Sequence, residues 1–358
     1  MAMSLAHELS RLPEGGLGKA QSLPPLLAAD EPPTPEGWSR ARARLRQAFE
    51  QLLGQPAFDP GSYPRGSVVM DVFEEDPDFT AVLFRQPTGP GHAQRVLVLR
   101  PRRPMASPCP GVVVPFYHPD HSSGLDLGTR LRRDGEPLIC FGRHLAHQGY
   151  FVACSEAFPF NTIPGPVVEG PGFAAWHAGA ARLRERHPQW TGMGKLTHDT
   201  RRAIDLLLEQ PGVDASRIAL MGHSLGGKMS FYAGCLDERV RATVANDFGI
   251  GWDFTNWDQP WYLGERVAMV RDRLAHHQLL ALHAPRPLLL IAGEADRLES
   301  WQYLQAASQA YAIAGRSEGL GCIAHHSGHE PTPRSLSLAY QWLAEQLDVR
   351  PRAWTPPG

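Results

Sequence analysis

The 358-residue sequence lacks any run of about 18 apolar residues, so no hydrophobic transmembrane helix is expected. It has no CxxC pair, and its five cysteines (Cys109, Cys140, Cys154, Cys235 and Cys322) are odd in number and scattered. That argues against a disulfide framework or a zinc ribbon and makes a reducing, cytoplasmic setting the default. The amino-terminal MAMSLAHELSRLPEGG has no charged region followed by an apolar one, so a secretory signal is not expected. Charge of one sign is missing too. Lys plus Arg total 35 against 37 Asp plus Glu, a formal charge of −2. A surface that gains affinity by neutralising phosphates would need a basic excess, so neither nucleic acid nor membrane is an expected partner.

What remains is ordinary globular material, 42% apolar and 20% charged, with enough length for a sizeable core. Length alone allows two domains or one α/β domain with insertions. Residues 1–35, with Pro24-Pro25 and Pro32-Pro33, read as a loose lead-in. Glu36 to Leu53 reads as an amphipathic helix whose arginines (Arg40, Arg42, Arg44, Arg46) form a solvated face, with anion binding as the alternative. Strand-like segments follow at Ser67–Val72, Thr80–Phe84, Arg95–Leu99 and Gly111–Phe116. From Leu138 onward helices alternate with strands. Strands are expected at Tyr150–Cys154, Arg217–Met221, Val240–Ala245, Pro287–Ala292 and Gly321–Ala324. The alternation implies βαβ units and a mostly parallel sheet covered on both faces, an α/β fold. The expected division is an extension over 1–66, a catalytic domain over 67–350 and a tail over 351–358. Two long connections, 158–190 and 248–283, start at carboxyl ends of strands, where such sheets bind ligands. They are expected to form a cap or pocket walls, with Trp252 and Trp257 as substrate contacts. The plainer alternative is that these tryptophans pack the insertion onto the body.

The chemistry concentrates in Gly222-His-Ser-Leu-Gly-Gly-Lys228. It fits G-x-S-x-G between an apolar strand and a helix, the setting of a nucleophile elbow. Ser224 is the expected nucleophile; its hydroxyl needs a base. His329, on a turn after the last strand, is the expected base, with His325 and His326 as competitors. In the order Ser, acid, His, the expected acid is Asp296 in Gly293-Glu-Ala-Asp296, with Asp247 and Glu294 as competitors. The oxyanion donors expected are the backbone N–H of Leu225 and that of Tyr117 or His118; Pro119 has none. No cofactor is expected, and the histidines around Asp120 lack metal-ligand spacing on a helix.

These motifs resemble the α/β-hydrolase superfamily in its dienelactone-hydrolase and acetyl-xylan-esterase-like branch, over roughly Val68 to Leu347. The resemblance implies an eight-stranded, mostly parallel sheet and hydrolysis of a small-molecule ester through a serine acyl-enzyme. The loop Phe116–Asp120 departs from the His-Gly-Gly-Gly run of many lipases. A partial likeness to glucuronoyl esterases, which carry G-C-S-R-x-G-K, implies that Lys228 contacts a sugar; Leu225 stands where they have arginine. Capping of a local carboxylate is the other reading of Lys228. Rival functions are a peptidase or amidase, an acyltransferase, and a non-catalytic binding scaffold.

Overall fold

A computed structural model describes residues 4–73, 76–133, 137–162 and 173–356. Its nine strands are β1 (Val68–Phe73), β2 (Phe79–Gly89), β3 (His92–Pro101), β4 (Cys109–Pro115), β5 (Phe151–Ser155), β6 (Val213–His223), β7 (Val240–Asn246), β8 (Leu288–Ala292) and β9 (Leu320–Ala324). They form one sheet in the order β1-β2-β3-β5-β4-β6-β7-β8-β9. The first three strands are joined to their neighbours antiparallel, and every pairing from β5 to β9 is parallel. This is the α/β-hydrolase fold with one strand more than the eight implied by the resemblance. The extra strand is β1, which pairs only with β2 and lies at the sheet edge.

The central strands form because their runs are apolar on both faces. All seven residues of β4 and all five of β8 are buried, as expected where helices cover both sides. Between β4 and β5 and between β5 and β6 the chain returns through helices, among them Phe141–His147 and Gly192–Leu208. Helix Leu225–Leu236 follows β6 and is buried along its whole length. Among the described residues no helix is long and apolar enough to cross a membrane.

The amino-terminal region belongs to the same core. Helix Pro35–Leu53 starts at Thr34, whose side chain accepts the Gly37 N–H, and stops at Gly54 in the left-handed region (φ 69°). Its buried Trp38, Ala41, Leu45, Phe49 and Leu52 recur at helical spacing and join the apolar cluster that holds the tryptophans of residues 248–283. The arginines on its outer face have protein partners. Arg44 pairs with Glu31, Arg42 and Arg46 with Glu238, and Arg40 donates to the Asp30 carbonyl.

The expected loose lead-in is docked instead. Leu9 and Leu26 are buried, and the Gln302 amide donates to the Leu17 and Lys19 carbonyls. Prolines kept this segment from reading as helix or strand, but its scattered leucines still find apolar surface. Trp354 in the tail packs on His144 and Tyr340. Phe49→Ala should cost about 3–5 kcal/mol of unfolding free energy, as for a fully buried aromatic. Denaturant titration measures it, and a cost below about 1 kcal/mol would show that the helix is an appendage.

Candidate active site

Ser224 sits between β6 and helix Leu225–Leu236 with φ 52° and ψ −112°, a conformation costly for a side-chain-bearing residue. Two observations explain how it is held. The Ser224 N–H donates to the Asn246 carbonyl at 2.8 Å, tying the turn to the end of β7. A Cβ on Gly226 would lie 2.1 Å from the Pro115 carbonyl oxygen, so only glycine lets the helix start that close to β4. The backbone N–H of Leu225 opens the helix, where the dipole favours negative charge.

The loop after β4 lies beside this turn. The Phe116 N–H is used by the Ser155 carbonyl, and the Phe116 ring is 6.0 Å from that of His223. Tyr117 and His118 follow as the expected backbone donors. The Tyr117 ring packs on Phe160 and Trp176 at 5.8 and 5.6 Å, and the His118 ring on Phe160 at 4.3 Å. His118 is also fastened by a charged pair. Arg95 donates to its Nδ1 at 3.2 Å and to the buried Glu156 at 2.7 Å. Phe160 and Trp176 were not singled out in the sequence. Phe160 lies just after β5, next to its carboxyl end, whereas Trp176 comes from the helix Ala174–Arg186 farther along the same connection. Residues 163–172 of that connection lie outside the described residues.

The histidine and the acids separate cleanly. His329 Nδ1 meets Asp247 Oδ2 at 2.6 Å, and the His329 ring lies 4.5 Å from that of His223, the residue preceding Ser224. The imidazole is thus on Asp247 and not on the expected Asp296. Asp296 is fully buried and its carboxylate is taken up elsewhere, by the N–H groups of Phe248, Gly249 and Ile250 and by the Ser300 hydroxyl. Glu294 lies on the same turn, and its N–H donates to Asp247 at 3.2 Å. Asp247 accepts in all from the N–H groups of residues 293 to 296. Gly293 permits this approach: a Cβ there would lie 2.3 Å from the Gly328 carbonyl oxygen. His325 hydrogen-bonds Ser327, and His326 is exposed at φ 50°, so neither competes for Asp247.

Electrostatics divide the two carboxylates. Burial opposes ionisation of Asp247, but the His329 hydrogen bond and the loop amides outweigh it and hold its pKa below the ordinary value. Burial is the largest influence on Asp296 too. The loop amides oppose it, the Asp247 charge adds to it, and Asp296 is pushed up to about 6. His223 is pushed down to about 3, mainly by burial and then by His329, so it stays neutral against the imidazole.

The remaining expectations are corrected by packing. Trp252 and Trp257 are buried, and their indole N–H groups donate to the Leu274 and Gly249 carbonyls. Their rings lie tilted against His276 inside the insertion, so they pack the insertion onto the body. Lys228 is 3% exposed and does not cap a carboxylate. Its ammonium donates to Thr255 Oγ1 and Asn256 Oδ1 and lies 4.2 and 4.4 Å from the ring centres of Trp257 and Tyr262. Burial lowers its pKa to about 7, against the pull of Asp296 and Asp258.

Comparison with known proteins agrees with this architecture. Residues 139–311 match the dienelactone hydrolase family. A carbohydrate esterase from an unknown prokaryotic organism is 25% identical over 228 residues, which cover 58% of this chain. The match spans about half of that relative, 52% of its length. A protein named as a hydrolase, YtaP of Bacillus subtilis (strain 168), is 24% identical over 317 residues, covering 86% of this chain and all of its own. A solved glucuronoyl esterase from Solibacter usitatus superposes with a TM-score of 0.67 at 18% identity, over 92% of this chain and 98% of that one. At that identity the likeness speaks for the fold.

The Lys228 shift carries a sign that can be measured. Its folded pKa is depressed from 10.5 to about 7, so between those values the unfolded chain binds more protons. Stability from this residue is therefore complete above 10.5 and lost as pH falls through 7. Relative to Lys228→Met, wild type should lose up to about 1.4 kcal/mol of unfolding free energy for each pH unit that the pH falls across that window. A difference independent of pH would mean that the folded environment does not depress the Lys228 pKa.

Proposed function

We propose that the chain, whose residues 139–311 match the dienelactone hydrolase family, is a serine hydrolase of carboxylic esters, acting on small or carbohydrate-linked esters through Ser224, His329 and Asp247. The observation that carries the reading is the 2.6 Å contact of His329 Nδ1 with a buried aspartate, together with the 4.5 Å approach of the His329 ring to His223, whose chain neighbour Ser224 is held at positive φ on a strand-to-helix turn. The names of the relatives, a carbohydrate esterase and a glucuronoyl esterase, support the substrate class.

The proposed chemistry follows from these groups. His329 takes the proton of Ser224 through Nε2 as the hydroxyl attacks the ester carbonyl. Asp247 keeps the Nδ1 proton in place and stabilises the imidazolium that forms. The tetrahedral oxyanion is received by the Leu225 N–H at the helix start and by a second N–H from the Tyr117–His118 segment. His329 then hands its proton to the leaving alcohol. Water, activated by the same imidazole, attacks the acyl-enzyme, releases the acid and restores Ser224. In this reading the half-buried Tyr117 borders the elbow, in place of Trp252 and Trp257, and the buried Phe160 and Trp176 brace its ring from behind.

Ser224→Ala should lower kcat on an aryl ester by about three orders of magnitude or more while the fold is kept, and should abolish labelling by a fluorophosphonate. Asp247→Asn should lower kcat by about 10³–10⁴-fold with labelling slowed in step. Near-wild-type turnover by the serine variant would refute the reading. Matched esters and amides, and a panel varying acyl and alcohol parts separately, assign the substrate. Faster amide turnover would replace esterase by amidase.

A further inference from the structure

The loops that follow β7 and β8 exchange carboxylates. Strands β7 and β8 run side by side in parallel, with Asn246 opposite Ile291, and each is followed closely by an aspartate. Asp247 accepts the N–H groups of Gly293, Glu294, Ala295 and Asp296 at 2.8, 3.2, 3.1 and 2.8 Å. Asp296 accepts those of Phe248, Gly249 and Ile250 at 2.9, 2.9 and 2.7 Å, and the Ser300 hydroxyl at 3.0 Å. Seven successive-loop amides are therefore held by two buried side chains, each belonging to the other loop. Both side chains are at 0% exposure.

We propose that Asp296 is a positioning residue for the reaction: by gathering the three amides that follow Asp247, it fixes the turn that aims the Asp247 carboxylate at His329. The inference rests on Asp247 being the acid of the triad.

Three features make this more than packing. Asp247 itself is at φ 44°, in a region that a side-chain-bearing residue leaves when its neighbours allow it. Its own N–H is fixed by the Ile291 carbonyl at 2.8 Å, so the chain immediately after it must bend to keep that bond. The amides of that bend end on Asp296. The loop then continues to Thr255 and Asn256, the partners of Lys228, and to Trp257, whose indole N–H returns to the Gly249 carbonyl. A buried carboxylate that accepts several N–H groups grips a turn more firmly than a neutral acceptor does. Loss of the grip leaves buried amides without partners, and the turn must shift to solvate them. A displacement of about 1 Å in a catalytic group is enough to cost on the order of 100-fold in rate.

The test uses Asp296→Asn in the full-length protein, read by steady-state kinetics, by thermal unfolding and by the downfield proton resonance of His329 Nδ1–H. That resonance is assigned by its loss in His329→Gln. The expected result is a kcat about 10–100-fold lower, a KM within about twofold, and a resonance that moves upfield or broadens away. A lower Tm with kcat and the resonance unchanged would reduce Asp296 to a purely structural group and overturn the proposal. Should Asp296→Asn fail to fold, Ser300→Ala removes one donor from the same carboxylate without touching the backbone. It is expected to lower kcat several-fold and to shift the resonance in the same direction, and no change in either overturns the proposal. Asp247→Asn separates the two levels. Retained activity there refutes the triad reading itself. Lost activity there, with a normal Asp296→Asn, refutes only the positioning role.

Discussion

A carboxylate with no access to water has to find its hydrogen-bond donors inside the protein, and the site is organised around how Asp247 does so. Four backbone amides of the loop after β8 converge on it, leaving one direction for an imidazole, which His329 occupies. The convergence needs β7 and β8 to end level with each other and needs Gly293 to admit the Gly328 carbonyl at a distance no side chain would allow. The acid, the histidine turn and the sheet register are thus one constraint. The elbow joins it through the Ser224 N–H and the Asn246 carbonyl, which place the serine turn against the strand that ends in the acid.

The two long connections contribute unequally. The connection after β5 brings Phe160 and Trp176 against the Tyr117–His118 segment, so it shapes the surroundings of the elbow. The connection after β7 is mostly interior. Its Trp252 and Trp257 are clamped around a buried, neutral-tending His276, which is pushed down to about 3 by burial before any other influence. It also encloses Lys228, a cation whose partners are a hydroxyl, an amide and two ring faces in place of a carboxylate. A charge kept there at the expense of its hydration is what depresses its pKa. Helix Pro35–Leu53 closes the outer side of the same cluster, so the amino-terminal region supports the insertion that supports the site.

The choice between the two aspartates shows where reading a sequence stops. Asp247 and Asp296 both follow buried strands closely, both sit before a break in regular structure, and both meet the local test for a triad acid. Both also satisfy the order Ser, acid, His, and the place after a later strand favoured Asp296. What separates them is whether the imidazole can arrive, and that depends on Gly293, Gly328 and the left-handed His326 bringing the turn after β9 over β7. None of these is adjacent in sequence to either acid. The tryptophans raise the same issue. An indole in a loop after a strand can face substrate or core, and the choice follows from which carbonyls are near enough to accept its N–H.

From its sequence alone this chain specified the alternating strands and helices, the sharp turn at Ser224 and the group of histidines after the last strand. These depend on local properties: apolar periodicity, glycine at a crowded turn and a polar cluster at a strand end. The tertiary structure decided the partner of His329, the docking of residues 4–35, and the burial of Lys228 and the tryptophans. Most of those turn on contacts between residues tens to hundreds of positions apart, where a difference of an ångström or two determines which donor meets which acceptor. No pattern of neighbouring residues encodes a distance of that kind.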